Sequence, residues 1–305
     1  MLVATIIMIG IMRALSALPL GFHYAFGRFF SWLLKDVFRY RRDVVAANLA
    51  RSFPDLKYKE LKEIADEFYK YLGRIAAETI WFGGCRNPER LRKKHLVEYS
   101  NIELFEEVYS RSKGIVVLNS HFGNWELMGG CLNYDYRPDA KLPEGLEPND
   151  IVFVHKPLKS RMWNEIMKEN RCAPVKRLGY KSYISSMEVL RYALENRDRK
   201  LVLNLPTDQC PYSISSSDAR VDFMHQETRT MIGAASIARK LGFAVLYMSL
   251  FPVEKGRYEW RFTEITGDAS SSLPEEIMQR YYNLLQADIE ACPWCYLWTH
   301  KRWKK

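Results

Sequence analysis

The sequence predicts an α/β protein with a mostly parallel mixed sheet flanked by helices. Short apolar runs at residues 114–119, 151–155 and 201–205 have the length of buried strands. Segments with apolar residues at helical spacing alternate with these runs, as in folds built from strand–helix units. The chain has 305 residues, 48% of them hydrophobic, which is enough for one large core.

Residues 1–36 are predicted to form a helical, membrane-associating segment. Residues 1–12 are almost wholly apolar, and apolar side chains resume after Arg13 and continue to Leu34. No basic residue precedes the apolar run, as a signal peptide would require. The basic cluster follows it instead, which places the rest of the chain on the cytoplasmic side; its members are Lys35, Arg39, Arg41 and Arg42. A full crossing, an interfacial anchor and a buried helix of a soluble protein all remain open at this point.

Residues 37–305 are predicted to form one domain with alternating elements. The predicted helices are 44–49, 57–81, 182–194, 232–241 and 274–291, and the predicted strands are 114–119, 151–155, 201–205, 244–251 and 258–265. Residues 130–150 are rich in proline, glycine and acidic residues and are expected to form a surface loop near the site.

The charge and the cysteines restrict the classes of partner. A net charge of +9 and a pI of about 9.1 suit an anionic partner, such as a phospholipid surface, a phosphorylated substrate or nucleic acid. No nucleic-acid-binding motif accompanies the charge, which argues against that class. The six cysteines form no disulfide framework, and no histidine pair has metal-ligand spacing, so neither a disulfide scaffold nor a metal site is expected. A redox role for the Cys292-x-x-Cys295 pair is disfavoured, because the pair follows a helix near the C-terminus.

The run from Gly114 to Gly130, GIVVLNSHFGNWELMGG, is the most informative part of the sequence. A buried strand ends just before His121, and Glu126 follows five positions later, after Gly123 and Asn124. A histidine oriented by a carboxylate is able to activate a hydroxyl oxygen as a nucleophile. The alternative is a histidine that merely caps the end of the strand.

Polar residues follow two further predicted strands. Lys156 comes directly after the strand at 151–155, while Asp208 and Gln209 follow the strand at 201–205. Since parallel strands end at the same edge of a sheet, these residues are expected near His121. Asp208 is interpreted as orienting a basic residue, contacting substrate or capping a turn. A basic cluster suited to phosphates begins at the same edge and comprises Lys156, Lys159, Arg161 and Arg171.

Blocks along nearly the whole chain resemble the lipid A late acyltransferases, the lauroyl and myristoyl transferases of lipopolysaccharide assembly. The His-x4-Glu run is similar to the His-x4-Asp/Glu motif of glycerolipid-type acyltransferases. The other matching blocks are Arg41 to Val45 with Asn48, Leu49 and Ser52 to Pro54; Val154 to Leu158 with Asn164 and Arg171; Asp208, Gln209 and Pro211; Phe223 and Thr228; and the ending Tyr296, Trp298, His300, Arg302, Trp303 and Lys304. They lie in the family's order and cover residues 15–304.

The resemblance implies a glycerol-3-phosphate acyltransferase-like fold and an enzyme on the cytoplasmic face of a bacterial inner membrane. Such an enzyme moves a fatty acyl group from acyl carrier protein, or from acyl-CoA, to a hydroxyl of an anionic lipid A precursor, without a metal or other cofactor. His121 is then the general base and Glu126 the acid that orients it. The residues implied in substrate binding are Asn124, Lys156, Arg171, Asp208, Gln209, His300 and Arg302. Lys156 departs from the family pattern, in which many members have arginine.

Two alternatives remain open within this interpretation. The same His121–Glu126 pair would serve an acyltransferase with a lysophospholipid, glycolipid or aminolipid acceptor. A non-catalytic membrane-binding protein of the same fold is the second alternative. In an enzyme, the donor chain is expected to lie in an apolar groove near His121 whose length limits the acyl group that fits.

Overall fold

A central sheet of seven strands organises the protein. The computed structural model describes residues 2–211, 219–254 and 256–303. The strands are β1 (Val97–Tyr99), β2 (Ile115–Asn119), β3 (Ile151–His155), β4 (Tyr183–Ser185), β5 (Val202–Pro206), β6 (Arg220–Phe223), β7 (Gln226–Arg229), β8 (Ala244–Glu254) and β9 (Arg257–Thr266). In space the large sheet runs β1-β9-β8-β2-β5-β3-β4, while β6 and β7 form a separate hairpin. The described pairings of the large sheet are parallel except that of β8 with β9, which confirms the predicted mixed, mostly parallel sheet.

Helices flank this sheet, some of them packed on other helices. They are α1 (Leu2–Ala17), α2 (Leu20–Trp32), α3 (Arg42–Ser52), α4 (Tyr58–Phe82), α5 (Pro88–Lys94), α6 (Ile102–Arg111), α7 (Arg161–Arg171), α8 (Val189–Glu195), α9 (Gly233–Leu241) and α10 (Pro274–Ala291). A π-helical turn covers Leu33–Val37, and 3₁₀ turns cover Trp125–Asn133, Pro148–Asp150, Ala173–Leu178 and Pro293–Cys295. Every residue of β2 is buried, as expected for a strand covered on both faces.

Most predicted elements are confirmed, and the exceptions have local causes. The helix predicted over 182–194 is wrong in its first part, where Tyr183–Ser185 pairs with β3 as an edge strand before α8 begins. Tyr183 and Ile184 have high strand propensity, which here outweighs the helical spacing of the apolar residues. The sequence reasoning also left β1, α5, α6 and α7 without assignment.

The N-terminal helices pack on α4 and leave apolar side chains exposed. Gly27 of α2 and Gly73 of α4 touch so closely that a Cβ on either would collide with the backbone of the other. No single helix of the described residues is long and apolar enough to cross a membrane. Val3–Ala17 and Leu20–Val37 have the length and apolar composition of a membrane span only when they are taken together, and the chain bends by 113° between them. Exposed apolar side chains of this pair include Ile6, Ile7, Phe22, Phe29 and Trp32.

Candidate active site

Two neighbouring strands bring His121 and Asp208 together. In the parallel pairing of β2 with β5, Asn119 lies opposite Pro206. His121 and Asp208 each follow two residues later, so the sheet register places their side chains side by side. The Nδ1 atom of His121 lies 2.8 Å from Oδ1 of Asp208.

The neighbours of the His121 ring determine which nitrogen carries the proton. An ionised carboxylate only accepts hydrogen bonds, so Nδ1–H donates to Asp208 and Nε2 keeps its lone pair. The side-chain amide of Gln209 donates to that lone pair from 3.2 Å. The His121 side chain is 18% exposed and Asp208 only 2%, so the ring faces the open side and the carboxylate lies behind it. Trp125 packs edge-on against the ring, with centroids 4.9 Å apart.

The buried Asp208 carboxylate is stabilised as an anion. Burial raises the pKa of Asp208, but the neighbouring His121, through its electrostatic interaction and through hydrogen bonds from its ring and its backbone amide, lowers the pKa by more, to below the ordinary value. Arg302 and Tyr296 are buried nearby, and burial together with the Asp208 charge raises the pKa of Tyr296, which therefore remains a neutral hydroxyl. Asp208 is thus a fixed negative charge behind the imidazole.

Glu126 is bonded to Arg171, whereas the sequence predicted that it would orient His121. Its carboxylate accepts two hydrogen bonds of 2.6 Å, from Nε and Nη2 of Arg171, and one of 3.0 Å from Nε1 of Trp125. Burial raises the pKa of Glu126, but the charge and hydrogen bonds of Arg171 lower it below its ordinary value. Both Glu126 and His121 line the same cavity, but the carboxylate that contacts the ring is that of Asp208.

Asn124 explains why Glu126 turns away from the ring. Its Oδ1 accepts the backbone N–H of Glu126 at 3.3 Å and so begins the 3₁₀ turn Trp125–Asn133. Its Nδ2 donates to Oε2 of Glu78 at 2.7 Å. Asn124 is fully buried and is not among the residues that line the cavity, so in this structure it supports the turn, and its contact with substrate stays a prediction.

Glu78 of α4 is a buried carboxylate that sequence reasoning missed. Besides Asn124, it accepts hydrogen bonds from the hydroxyls of Tyr24 on α2 at 2.9 Å and Tyr258 on β9 at 2.7 Å. Burial raises the pKa of Glu78 above its ordinary value. The three hydrogen bonds that the carboxylate accepts lower the pKa, but by less. Glu78 therefore links an N-terminal helix, the sheet and the segment 120–126, here called the site loop.

The remaining predicted residues divide between the cavity and the core. Lys156 and Arg171 line the cavity, with Lys156 exposed and Arg171 also donating to the hydroxyl of Tyr183 at 2.9 Å. Arg302 is only 2% exposed and donates to the backbone carbonyl of Arg229 and the hydroxyl of Tyr282, so it lies in the core, and its contact with substrate stays a prediction.

At the C-terminus, His300 lies close enough to Asp208 for its charge to lower the pKa of that carboxyl. It is not among the residues that line the cavity. Lys304, part of the predicted C-terminal block, lies outside the described residues. Among the described residues, no cluster of three or more His, Cys, Asp or Glu side chains is arranged to hold a metal ion.

A cavity of about 860 Å³ opens in front of the His121 ring, and we call it the site cavity. Its lining is mostly apolar, with Lys156, Arg171 and Gln209 among its polar groups. The apolar members include Met128, Phe153, Val175, Tyr180, Met187, Leu190, Met231 and Ile237. The volume is in the range of sites that bury a sizeable organic ligand. A base, a few cations and a long apolar wall suit a substrate with an alkyl chain and an anionic head.

Sequence comparison agrees with this chemistry. The family model described as bacterial lipid A biosynthesis acyltransferase matches residues 2–305. The chain belongs to this family. No curated protein matches it. The resemblance predicted from the sequence blocks is thereby confirmed, and the chain is an acyltransferase of the lipid A type.

In this lipid A acyltransferase, the sheet register was the signal that located the partner of His121. Asp208 was predicted to reach the same sheet edge, but its role was left open, because the His-x4-Glu spacing drew attention to Glu126. His121 and Asp208 each lie two residues beyond the end of their strands, so both lie at the same level along the strand direction. Glu78 gave no comparable signal, since a single glutamate on an amphipathic helix is usually exposed.

Proposed function

We propose that the protein transfers a fatty acyl group from a thioester, carried by acyl carrier protein or by coenzyme A, to a hydroxyl of a lipid A precursor. One observation supports this most strongly: the proton-accepting Nε2 of His121 faces the apolar site cavity, while Nδ1 is held by the buried Asp208. That arrangement suits general-base activation of a hydroxyl beside a bound alkyl chain.

The proposed reaction needs one proton acceptor. The acceptor hydroxyl takes the place of the Gln209 amide at Nε2, and its oxygen attacks the thioester carbonyl while the proton moves to the ring. Asp208 stabilises the imidazolium that forms. As the tetrahedral intermediate collapses, the C–S bond breaks and the imidazolium protonates the departing thiolate. The products are an ester and a free thiol, with His121 neutral again.

Glu126 has a supporting role in this proposal. Together with Arg171 it holds Trp125, which packs on the His121 ring. We therefore move the orienting role from Glu126 to Asp208 and keep Glu126 as a member of the site. Lys156, exposed at the cavity, is proposed to attract the anionic head of the lipid. No metal or organic cofactor enters these steps.

We also propose that the enzyme works on the cytoplasmic face of the bacterial inner membrane. The exposed apolar side chains of α1 and α2 and the positive net charge favour contact with an anionic lipid surface. The bend of 113° between the two helices suits a segment that lies in the interface.

Acyl transfer by the purified protein tests the proposed base. With a lipid A precursor and acyl carrier protein thioesters, His121→Ala is expected to lower kcat about 10³-fold and Asp208→Asn about 10²–10⁴-fold. Asp150→Asn is the matched control, because Asp150 is also a buried aspartate paired with a cation, Arg199. Undiminished activity of His121→Ala contradicts the proposed base, and a wild-type protein that transfers nothing favours the non-catalytic alternative.

Mass spectrometry of lipids from cells with and without the gene tests the proposed acceptor. The proposal expects lipid A to lose one acyl chain when the gene is deleted, and to regain it on complementation with the wild type but not with His121→Ala. An unchanged lipid A, together with loss of a chain from a phospholipid, glycolipid or aminolipid, contradicts the acceptor but keeps the acyltransferase chemistry.

A further inference from the structure

We propose that Phe153 of β3 sets the maximum length of the acyl chain, because this residue lines both the site cavity and a second, largely apolar cavity. The inference rests on the proposed acyl transfer and names the residue that would determine its chain-length specificity. It would place the end of the acyl chain at the Phe153 side of the site cavity.

The second cavity has a volume of about 270 Å³ and lies between the sheet, α6 and the loop at 130–150. Apolar side chains make up most of its wall, including Ile102, Val117, Leu132, Leu146, Ile151 and Val202. The charged lining residues Arg92, Glu106, Asp135 and Lys141 are contributed by α5, α6 and the long loop. Its apolar part offers a hydrocarbon chain the same surroundings as the site cavity.

Phe153 is the residue that the linings of the two cavities share. Its side chain is 9% exposed and contacts the ring of Tyr180, with centroids 6.3 Å apart. The Tyr180 hydroxyl is fixed by the carbonyl oxygens of Ile151 and Ser182, at 2.7 and 2.8 Å. The backbone of Phe153 is held on both sides, by β4 and β5. In the proposal the partition is the Phe153 side chain, carried on a strand that is paired on both sides, and truncating that side chain is expected to connect the two cavities.

The size of the effect follows from the transfer of methylene groups out of water. Each methylene that enters an apolar cavity strengthens binding about fourfold. A donor longer by two carbons, whose end finds no space in the wild type, should gain about tenfold or more in kcat/KM relative to the preferred donor once the second cavity is open.

The test compares saturated acyl donors of increasing length, supplied together, and measures the chain lengths in the product. Phe153→Ala is expected to shift the preferred donor by at least one two-carbon step towards longer chains. Phe153→Leu, which disturbs the core less, should shift it in the same direction by a smaller amount. Since the readout is a ratio between donors, a partial loss of folded protein does not change it.

Two further variants separate the partition from a general effect of cavity size. Leu132→Ala enlarges the second cavity but leaves Phe153 in place, so the wild-type preference should remain. Ala140→Phe, combined with Phe153→Ala, refills the second cavity from the loop and should restore the shorter preference. An unchanged preference in both Phe153 variants, or no reversal by Ala140→Phe, overturns the proposal.

Displacement of a fluorescent fatty acid by free fatty acids measures the same ranking without turnover. If the wild type transfers no acyl group but its fatty-acid ranking shifts on Phe153→Ala, the proposed function fails and the role of Phe153 stands. If transfer proceeds and neither ranking shifts, the proposed function stands and the role of Phe153 fails. A protein that binds no fatty acid of any length also overturns the role of Phe153.

Discussion

Replacing Glu78 by methionine tests whether this carboxylate holds the site loop to the rest of the protein. Methionine has a similar length but cannot accept the three hydrogen bonds that Glu78 receives. The donors on Asn124 and Tyr258 are buried, and each is expected to cost about 1–3 kcal/mol when left unpaired. The substitution also removes the free-energy cost of burying the Glu78 carboxylate, which offsets part of this loss. The expected net loss is about 3 kcal/mol of unfolding free energy, or about 5 °C in Tm for a chain of this size.

Denaturant unfolding followed by tryptophan fluorescence measures this loss. Glu63→Met, on the exposed side of the same helix, is the control and should stay within about 0.5 kcal/mol of the wild type. Tyr24→Phe removes the least buried of the three donors and should cost under about 1 kcal/mol.

A double-mutant cycle with Asn124→Leu distinguishes this network from general loosening of the core. Removing both partners leaves no orphaned group between them, so the combined loss with Glu78→Met should be smaller than the sum of the single losses. A Glu78→Met protein within about 0.5 kcal/mol of the wild type, or losses that add without coupling, would refute the reasoning.

Three further predictions concern the site and its supports. Arg171→Ala leaves the buried Glu126 carboxylate without its cation and should cost about 3–5 kcal/mol of unfolding free energy. Adding Glu126→Gln removes the unpaired charge, so the double variant should recover part of this loss. If the losses of the two single variants simply add in the double variant, the prediction is contradicted. Gly73→Ala drives a Cβ into the backbone of α2 and should speed proteolysis of the N-terminal helices, whereas Gly10→Ala, with open space around it, should not. Folding lowers the pKa of Asp208 and of Glu126 below their ordinary values of 3.8 and 4.5, so their contribution to stability is present above those values and is lost as the pH falls through the lower folded pKa values. Unfolding free energies measured from pH 7 into the acid range should therefore fall less steeply for Asp208→Asn than for the wild type, and an equal slope would count against the stabilisation of the Asp208 carboxylate by its neighbours.

The sequence was most informative where one periodicity ran through a whole element. The helices at 57–81 and 274–291 carry apolar residues at helical spacing over many turns, and the structure has them at Tyr58–Phe82 and Pro274–Ala291. The missed helix α7 buries Ile166 and Asn170, but both of its ends lie in a basic cluster, which was interpreted as a site suited to phosphates and not as part of a helix. The N-terminal segment was predicted to be helical, and it contains α1 and α2, whereas the packing of α2 through Gly27 and Gly73 depends on α4, far along the chain, and cannot be predicted from local patterns.

The candidate site shows the same division between local and long-range information. His121 was identified from its place directly after a buried strand, a local feature. The partner of its ring depends on which strand lies next to β2, and this neighbour is β5, more than eighty residues further along the chain. Local spacing predicted Glu126 as the partner of His121. However, Asn124 begins a new turn between His121 and Glu126, and the Glu126 carboxylate pairs with Arg171.

The position of Asp208 gives the site a rigidity that a partner five residues away would lack. His121 and Asp208 each stand two residues beyond strands that are hydrogen-bonded to each other up to Asn119 and Pro206, so their relative position is fixed by the sheet. A carboxylate in the following turn would depend on the conformation of the site loop. In the proposed reaction the acceptor hydroxyl must displace Gln209 from the ring, which disturbs the open side of the site. Because the contact with Asp208 lies on the buried side, the imidazole can exchange partners at Nε2 while Nδ1 keeps its orientation.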